Sequence, residues 1–125
     1  YTQWCAKENV NFYRQLVLYA LASHAPTTQK KIADYTGLSK QTVATVMRAL
    51  KSEGLVSLSA GSVDRREKAV RLTEAGTLYA ERVLGPLYAL ENRVFRIMGA
   101  DRIRQMLDAV SLFNTVFEKE MQDEP

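Results

Sequence analysis

The chain contains one cysteine, Cys5, and one histidine, His24. A lone thiol closes no internal disulfide, which fits a reducing compartment and makes a cytoplasmic location the expectation. No His/Glu or Cys/His cluster has the spacing of metal ligands. The six glycines form no phosphate-cradling loop. Neither a metal, nor a cofactor, nor an enzymatic activity is therefore expected. His24, beside Ala25-Pro26 at a helix end, reads as a cationic or hydrogen-bonding cap rather than a ligand. No apolar run approaches the ~20 residues of a membrane span, so no membrane partner is expected. There is no signal-peptide pattern, but Tyr1 is not a translation start, so that absence decides nothing about targeting. Internal repeats and low-complexity segments are also missing.

What remains is the composition of a globular protein. A hydrophobic content of 46% across 125 residues suits one domain, residues 1–125, with a true core. The net charge of +3 is unevenly spread. Residues 28–72 hold nine Lys/Arg against four acids, a net of +5, and the flanks together carry −2. A basic middle between mildly acidic ends is a candidate footprint for a polyanion.

The apolar spacing over residues 6–23 predicts a helix. Its segment Leu16-Val17-Leu18-Tyr19-Ala20-Leu21 is apolar nearly all round, the mark of a helix buried in the domain or against a second subunit. Pro26 ends it. Thr27 or Thr28 can cap a second helix over residues 28–36, which buries Ile32, Ala33 and Tyr35. Gly37 suits the left-handed position after a helix, and Leu38 fills the angle to the next one. Ser39 caps a third helix that runs to Gly54. Two helices joined by a short glycine-containing turn are the helix-turn-helix signature.

In that third helix Val43, Val46, Met47 and Leu50 form one narrow apolar stripe. At about 100° per residue, Gln41, Thr45, Arg48 and Ser52 lie on the opposite side, flanked by Thr42 and Ala44. Short polar side chains and one long arginine allow close approach to base edges. Two alternating segments follow, Val56 and Leu58 against Ser57 and Ser59, then Val70 and Leu72 around Arg71. They read as a half-buried antiparallel pair. The eight residues between them, 60–67, are too many for a tight hairpin and carry Asp64-Arg65-Arg66. Asp64 is placed to accept a hydrogen bond from Arg66 and hold its fork. Lys68 follows on the second strand.

Thr73 can cap a long helix from Glu74, which Gly85-Pro86 should kink or interrupt. Gly99 ends the next stretch, and Asp101 caps a last helix to about Met121. That helix carries a wide apolar stripe from Ile103 to Met121. Ten of the eleven aromatics lie outside residues 28–72, which leaves the ends with more apolar surface than a small domain covers. The expected fold class is mainly α, or α+β. It is a winged helix-turn-helix over residues 27–73 with a two-stranded β wing, and residues 1–24 and 86–122 form dimerisation helices of a homodimer.

Three stretches taken together resemble the MarR (multiple-antibiotic-resistance regulator) family of bacterial transcription factors. They are Leu50-Lys51-Ser52-Glu53-Gly54-Leu55-Val56, Asp64-Arg65-Arg66, and Val70-Arg71-Leu72-Thr73-Glu74-Ala75-Gly76. Each is weak alone, and their order and spacing carry the likeness. The resemblance implies a dimeric winged-helix regulator of double-stranded DNA, often released by a small ligand or oxidant. It makes residues 39–48 the recognition helix and maps the family's Asp-x-Arg wing element onto Asp64 and Arg66. Arg66 would then enter the minor groove, where an arginine reads groove width.

The expected function is sequence-specific regulation of transcription, as a repressor, from a pseudo-palindromic operator. Gln41, Thr42, Thr45 and Arg48 would enter the groove. Ser39 and Lys40 would anchor phosphates, and Arg65, Arg66 and Lys68 would supply the wing. A small-molecule effector pocket would be lined by Tyr13, Tyr19, Tyr79 and Tyr88, although for each one alone core or interface packing is the stronger reading. Two alternatives stand beside this reading. One is a winged-helix protein-interaction module without DNA specificity. The other is a redox switch at Cys5, against which an incidental buried thiol is the plainer reading.

Overall fold

A computed structural model describes residues 1–60 and 68–125. The elements run α1 (Thr2–Lys7), α2 (Phe12–His24), α3 (Gln29–Thr36), α4 (Lys40–Ser52), β1 (Val56–Ala60), β2 (Lys68–Leu72), α5 (Glu74–Met98) and α6 (Ala100–Asp123). They form two compact units, Tyr1–Pro86 and Leu87–Pro125. The mainly helical winged helix-turn-helix expected from the pattern is the observed fold.

In the first unit α2 is the central helix. Val17, Leu18 and Leu21 are fully buried, joined by Ile32 of α3 and by Val43, Met47 and Leu50 of α4. The apolar run of α2 is thus satisfied inside the unit. The expected continuous helix over residues 6–23 is two helices instead. Asn9 takes a left-handed φ of 56°, which asparagine tolerates better than most residues. Asn11 then caps α2 by accepting the Arg14 N–H at 3.0 Å. Cys5 is buried, and its thiol donates to the amide oxygen of Gln15 across 3.9 Å, pinning α1 to α2.

The helix-turn-helix follows the local rules. Thr28 caps α3 through the Lys31 N–H, and Ser39 caps α4 through the Thr42 N–H. Gly37 sits between them at φ 73°. Tyr35 departs from expectation. It is 51% exposed and lies flat on the His24 ring, with centroids 3.9 Å apart. The short α3 has only one face for the core, and Ile32 and Ala33 fill it. His24 stands in the last turn of α2, as expected for a cationic end residue, and its ring also stacks on Tyr35.

β1 and β2 pair antiparallel, with Val56 opposite Leu72 and Leu58 opposite Val70. Val56 and Val70 are buried, and Ser57 and Arg71 face outward, so the period of two holds. Thr27, offered as a cap, instead bridges the other edge of β2. Its N–H donates to the Val70 carbonyl and its carbonyl accepts the Val70 N–H.

The end of α4 is closed by a Schellman motif. The Gly54 N–H donates to the Lys51 carbonyl and the Leu55 N–H to the Leu50 carbonyl. Thr73 then ties this turn to α5. Its N–H donates to Leu55, its hydroxyl donates to the Gly54 carbonyl at 2.7 Å, and it accepts the Gly76 N–H at 3.0 Å. A β-carbon at Gly76 would lie 1.8 Å from the Leu55 carbonyl oxygen, so only glycine fits there.

Pro86 sits inside α5 without ending it, so of the expected kink or interruption the interruption does not occur. Proline removes one hydrogen bond, and the residue before it, Gly85, has no β-carbon to clash with the ring. In the second unit, Gly99 (φ 85°) turns the chain into α6. Asp101 was expected to cap α6, but that position belongs to Gly99, without a side-chain bond. Asp101 lies in the first turn, where its charge still suits the helix dipole.

Two outcomes follow. Gly76→Ala should destabilise the protein by about 3 kcal/mol in urea titrations, because the clash is with backbone rather than with a movable side chain. Cys5 should alkylate with iodoacetamide at least about tenfold more slowly in the native protein than in denaturant, since burial both covers the thiol and disfavours the thiolate.

Candidate nucleic-acid interface

The exposed face of α4 is Gln41, Thr45, Arg48 and Ser52, with Ser39 and Lys40 also exposed ahead of it and Thr42 half-buried. Val43, Met47 and Leu50 hold the opposite side in the core. The face is internally ordered. Ser39 and Thr42 share a hydroxyl hydrogen bond of 2.8 Å. The Thr45 hydroxyl donates to the Gln41 carbonyl at 3.0 Å and accepts from the Arg48 guanidinium at 3.3 Å. Arg48 is thereby steered along the helix face.

Beside this helix the hairpin brings Lys68, exposed at the start of β2 and opposite Ala60. Asp64, Arg65 and Arg66 lie outside the described residues. Arg71, absent from the expected site, is exposed on β2 on the side opposite Lys68 and Val70. Lys30 and Lys31 are exposed on α3. Strand alternation and helix phase were the signals for these, since each sits one face away from a buried neighbour.

The tyrosines offered for a pocket have separate surroundings. Tyr13 is 49% exposed and tilts against Phe12. Tyr19 is half-buried on α2. The Tyr79 hydroxyl accepts from the Arg14 guanidinium at 2.7 Å, and the guanidinium carbons of Arg14 and Arg82 lie 5.0 and 5.4 Å from its ring centre. Tyr88 belongs to the second unit, where burial and then the Glu91 charge push its phenol above the ordinary range. A groove of about 640 Å³ in that unit is lined by Asn92, Phe95, Arg96, Gly99, Ala100 and Ile103, none of them a tyrosine.

Burial pushes the Cys5 thiol above its ordinary pKa, which is the wrong direction for a reactive thiolate. Among the described residues no group of three His, Cys, Asp or Glu could hold a metal ion. Among the same residues no helix is long and apolar enough to cross a membrane.

Sequence reasoning missed the cluster around Arg14. Its guanidinium forks onto both carboxylate oxygens of Glu53 at 2.8 and 2.9 Å while its third nitrogen reaches Tyr79. The partners stand 39 and 65 residues away, so no local pattern could show it.

Comparison with known proteins places this arrangement. The MarR family model matches residues 16–67. A solved MarR family regulator from Neisseria meningitidis is 30% identical, covers 97% of this chain and 85% of its own, and superposes with a TM-score of 0.84. An uncharacterized HTH-type transcriptional regulator of Staphylococcus aureus strain Mu50 is 26% identical over 90% of this chain and 76% of its own length. The MepR protein of S. aureus, solved in a complex with DNA, shares the fold with a TM-score of 0.67 at 20% identity, over 91% of this chain and 85% of that one. The chain belongs to the MarR family, a family of transcriptional regulators and not of enzymes.

Proposed function

We propose that the protein is a sequence-specific DNA-binding repressor that acts as a homodimer on a pseudo-palindromic operator in the cytoplasm. The observation that carries this reading is the exposed polar face of α4. Gln41, Thr45 and Arg48 stand free of the core on a helix capped at both ends, beside a basic hairpin. In this reading Gln41, Thr42, Thr45 and Arg48 enter the major groove. Ser39 and Lys40 hold phosphates at the helix N-terminus. Arg65, Arg66 and Lys68 form the wing, with Arg66 in the minor groove and Asp64 orienting it. Residues 27–73 would be the DNA-binding lobe of a single MarR-like domain spanning residues 1–125.

The homodimer is supported by the second unit. α6 buries none of its residues and exposes Leu107, Val110, Phe113, Val116 and Phe117, a face that water disfavours. Residues 86–122 and 1–24 would form the dimer contact. A small ligand, with Tyr13, Tyr19, Tyr79 and Tyr88 as candidate contacts, would release the operator. It does so only if it prefers one spacing of the two recognition helices.

Selection from a random DNA pool tests the reading. It should return an inverted repeat with half-sites about one helical turn apart. On that duplex Arg66→Ala should weaken binding by about 1–3 kcal/mol in fluorescence anisotropy. Binding should also fall steeply with salt through counterion release. A pool that enriches no motif at any salt concentration defeats the assignment. Sedimentation should give a dimer, and Phe113→Glu with Phe117→Glu should convert it to monomer, since charges on a buried apolar face are costly.

A further inference from the structure

Glu53 stands at the C-terminal end of α4, where the helix dipole is negative and a carboxylate is disfavoured. Its placement therefore needs a compensating cation, and Arg14 is that cation. The fork of two hydrogen bonds is the strongest geometry an arginine and a carboxylate adopt. Arg14 is the more enclosed partner, with its side chain 18% exposed against 49% for Glu53. Its remaining nitrogen is occupied by Tyr79 of α5 and its plane lies over the same ring. Burial opposes the guanidinium charge, but the bonds to Glu53 and Tyr79 outweigh it and hold the charge firmly. One side chain of α2 thus grips the end of α4 and the first half of α5 together.

We propose that Arg14, through Glu53 and Tyr79, is a positioning residue for DNA reading, fixing how α4 is set against α2 and α5. The proposal rests on the reading of α4 as the recognition helix. The core side chains Val43, Met47 and Leu50 hold the depth of α4, and the fork from Arg14 adds a tie between its C-terminal end and α2. The exposed row Gln41, Thr45 and Arg48 then meets base edges at one angle, which matters for base contacts and little for phosphate contacts. Arg14 itself touches no DNA in this account.

The test compares the full-length protein and its variants on two duplexes, the sequence selected from the random pool and a random sequence. Temperatures are kept below each variant's melting transition. Arg14→Gln and Glu53→Gln should each weaken binding to the selected duplex about tenfold. Binding to the random duplex should stay within about twofold of wild type, with an unchanged salt slope. Arg14→Lys keeps the charge but cannot fork, and should fall between. The charge-inverted pair Arg14→Glu with Glu53→Arg should recover part of the loss. Equal affinity of Arg14→Gln and wild type for the selected duplex overturns the proposal. A parallel loss on both duplexes with a shallower salt slope also overturns it, by making Arg14 a phosphate contact. Wild-type protein that binds neither duplex overturns the DNA reading itself, and this proposal with it.

Discussion

The close passage of Gly76 beneath the Leu55 carbonyl is the contact on which the DNA-binding lobe hangs. It brings the first turn of α5 against the chain as it leaves α4. Thr73 turns that proximity into a knot of three hydrogen bonds, with Gly54, Leu55 and Gly76 as partners. The start of β1, the end of β2, the end of α4 and the start of α5 are thereby registered at one point. Both strands of the wing leave from it. A side chain at position 76 would push α5 away and leave Leu55 and Thr73 without their bond, which buried or half-buried polar groups tolerate poorly.

Local features were legible in the sequence, and contacts between distant segments were not. The stripe of Val43, Met47 and Leu50, the caps at Thr28 and Ser39 and the left-handed Gly37 all follow rules that span a few residues. The strand pair announced itself through alternation around Ser57 and Arg71. The break at Asn9 was hidden because an apolar spacing continues on both sides of it. Gly85-Pro86 was read as a kink or an interruption, and the helix runs on through it. Tyr35 looked like core by phase alone, but α3 is too short to bury it, and its ring found His24 instead. The grip of Arg14 on Glu53 and Tyr79 joins segments far apart in the chain.

The site divides in the same way. The polar face of α4 could be read from the helical period, down to the exposed Gln41, Thr45 and Arg48. What could not be read is that Thr45 is bonded to both Gln41 and Arg48, so that one hydroxyl orders the row. The surplus apolar surface assigned to the chain's ends is also unevenly placed. α2 spends its surface in the core of the first unit, and α6 spends none of it. Cys5 is the buried thiol that was the plainer of its two readings. A single thiol invites a redox role, but packing against Gln15 makes it a small apolar filler with a weak donor.

The central claim is that α4 presents a rigid, base-reading face to DNA. An NMR titration of the isotope-labelled protein with its selected duplex tests it most directly. The account predicts that the largest shifts fall on Gln41, Thr45 and Arg48 and on residues 61–67, while the core signals of Val17, Leu18 and Leu21 stay in place. Shifts concentrated on α6, with the α4 face unmoved, would contradict it.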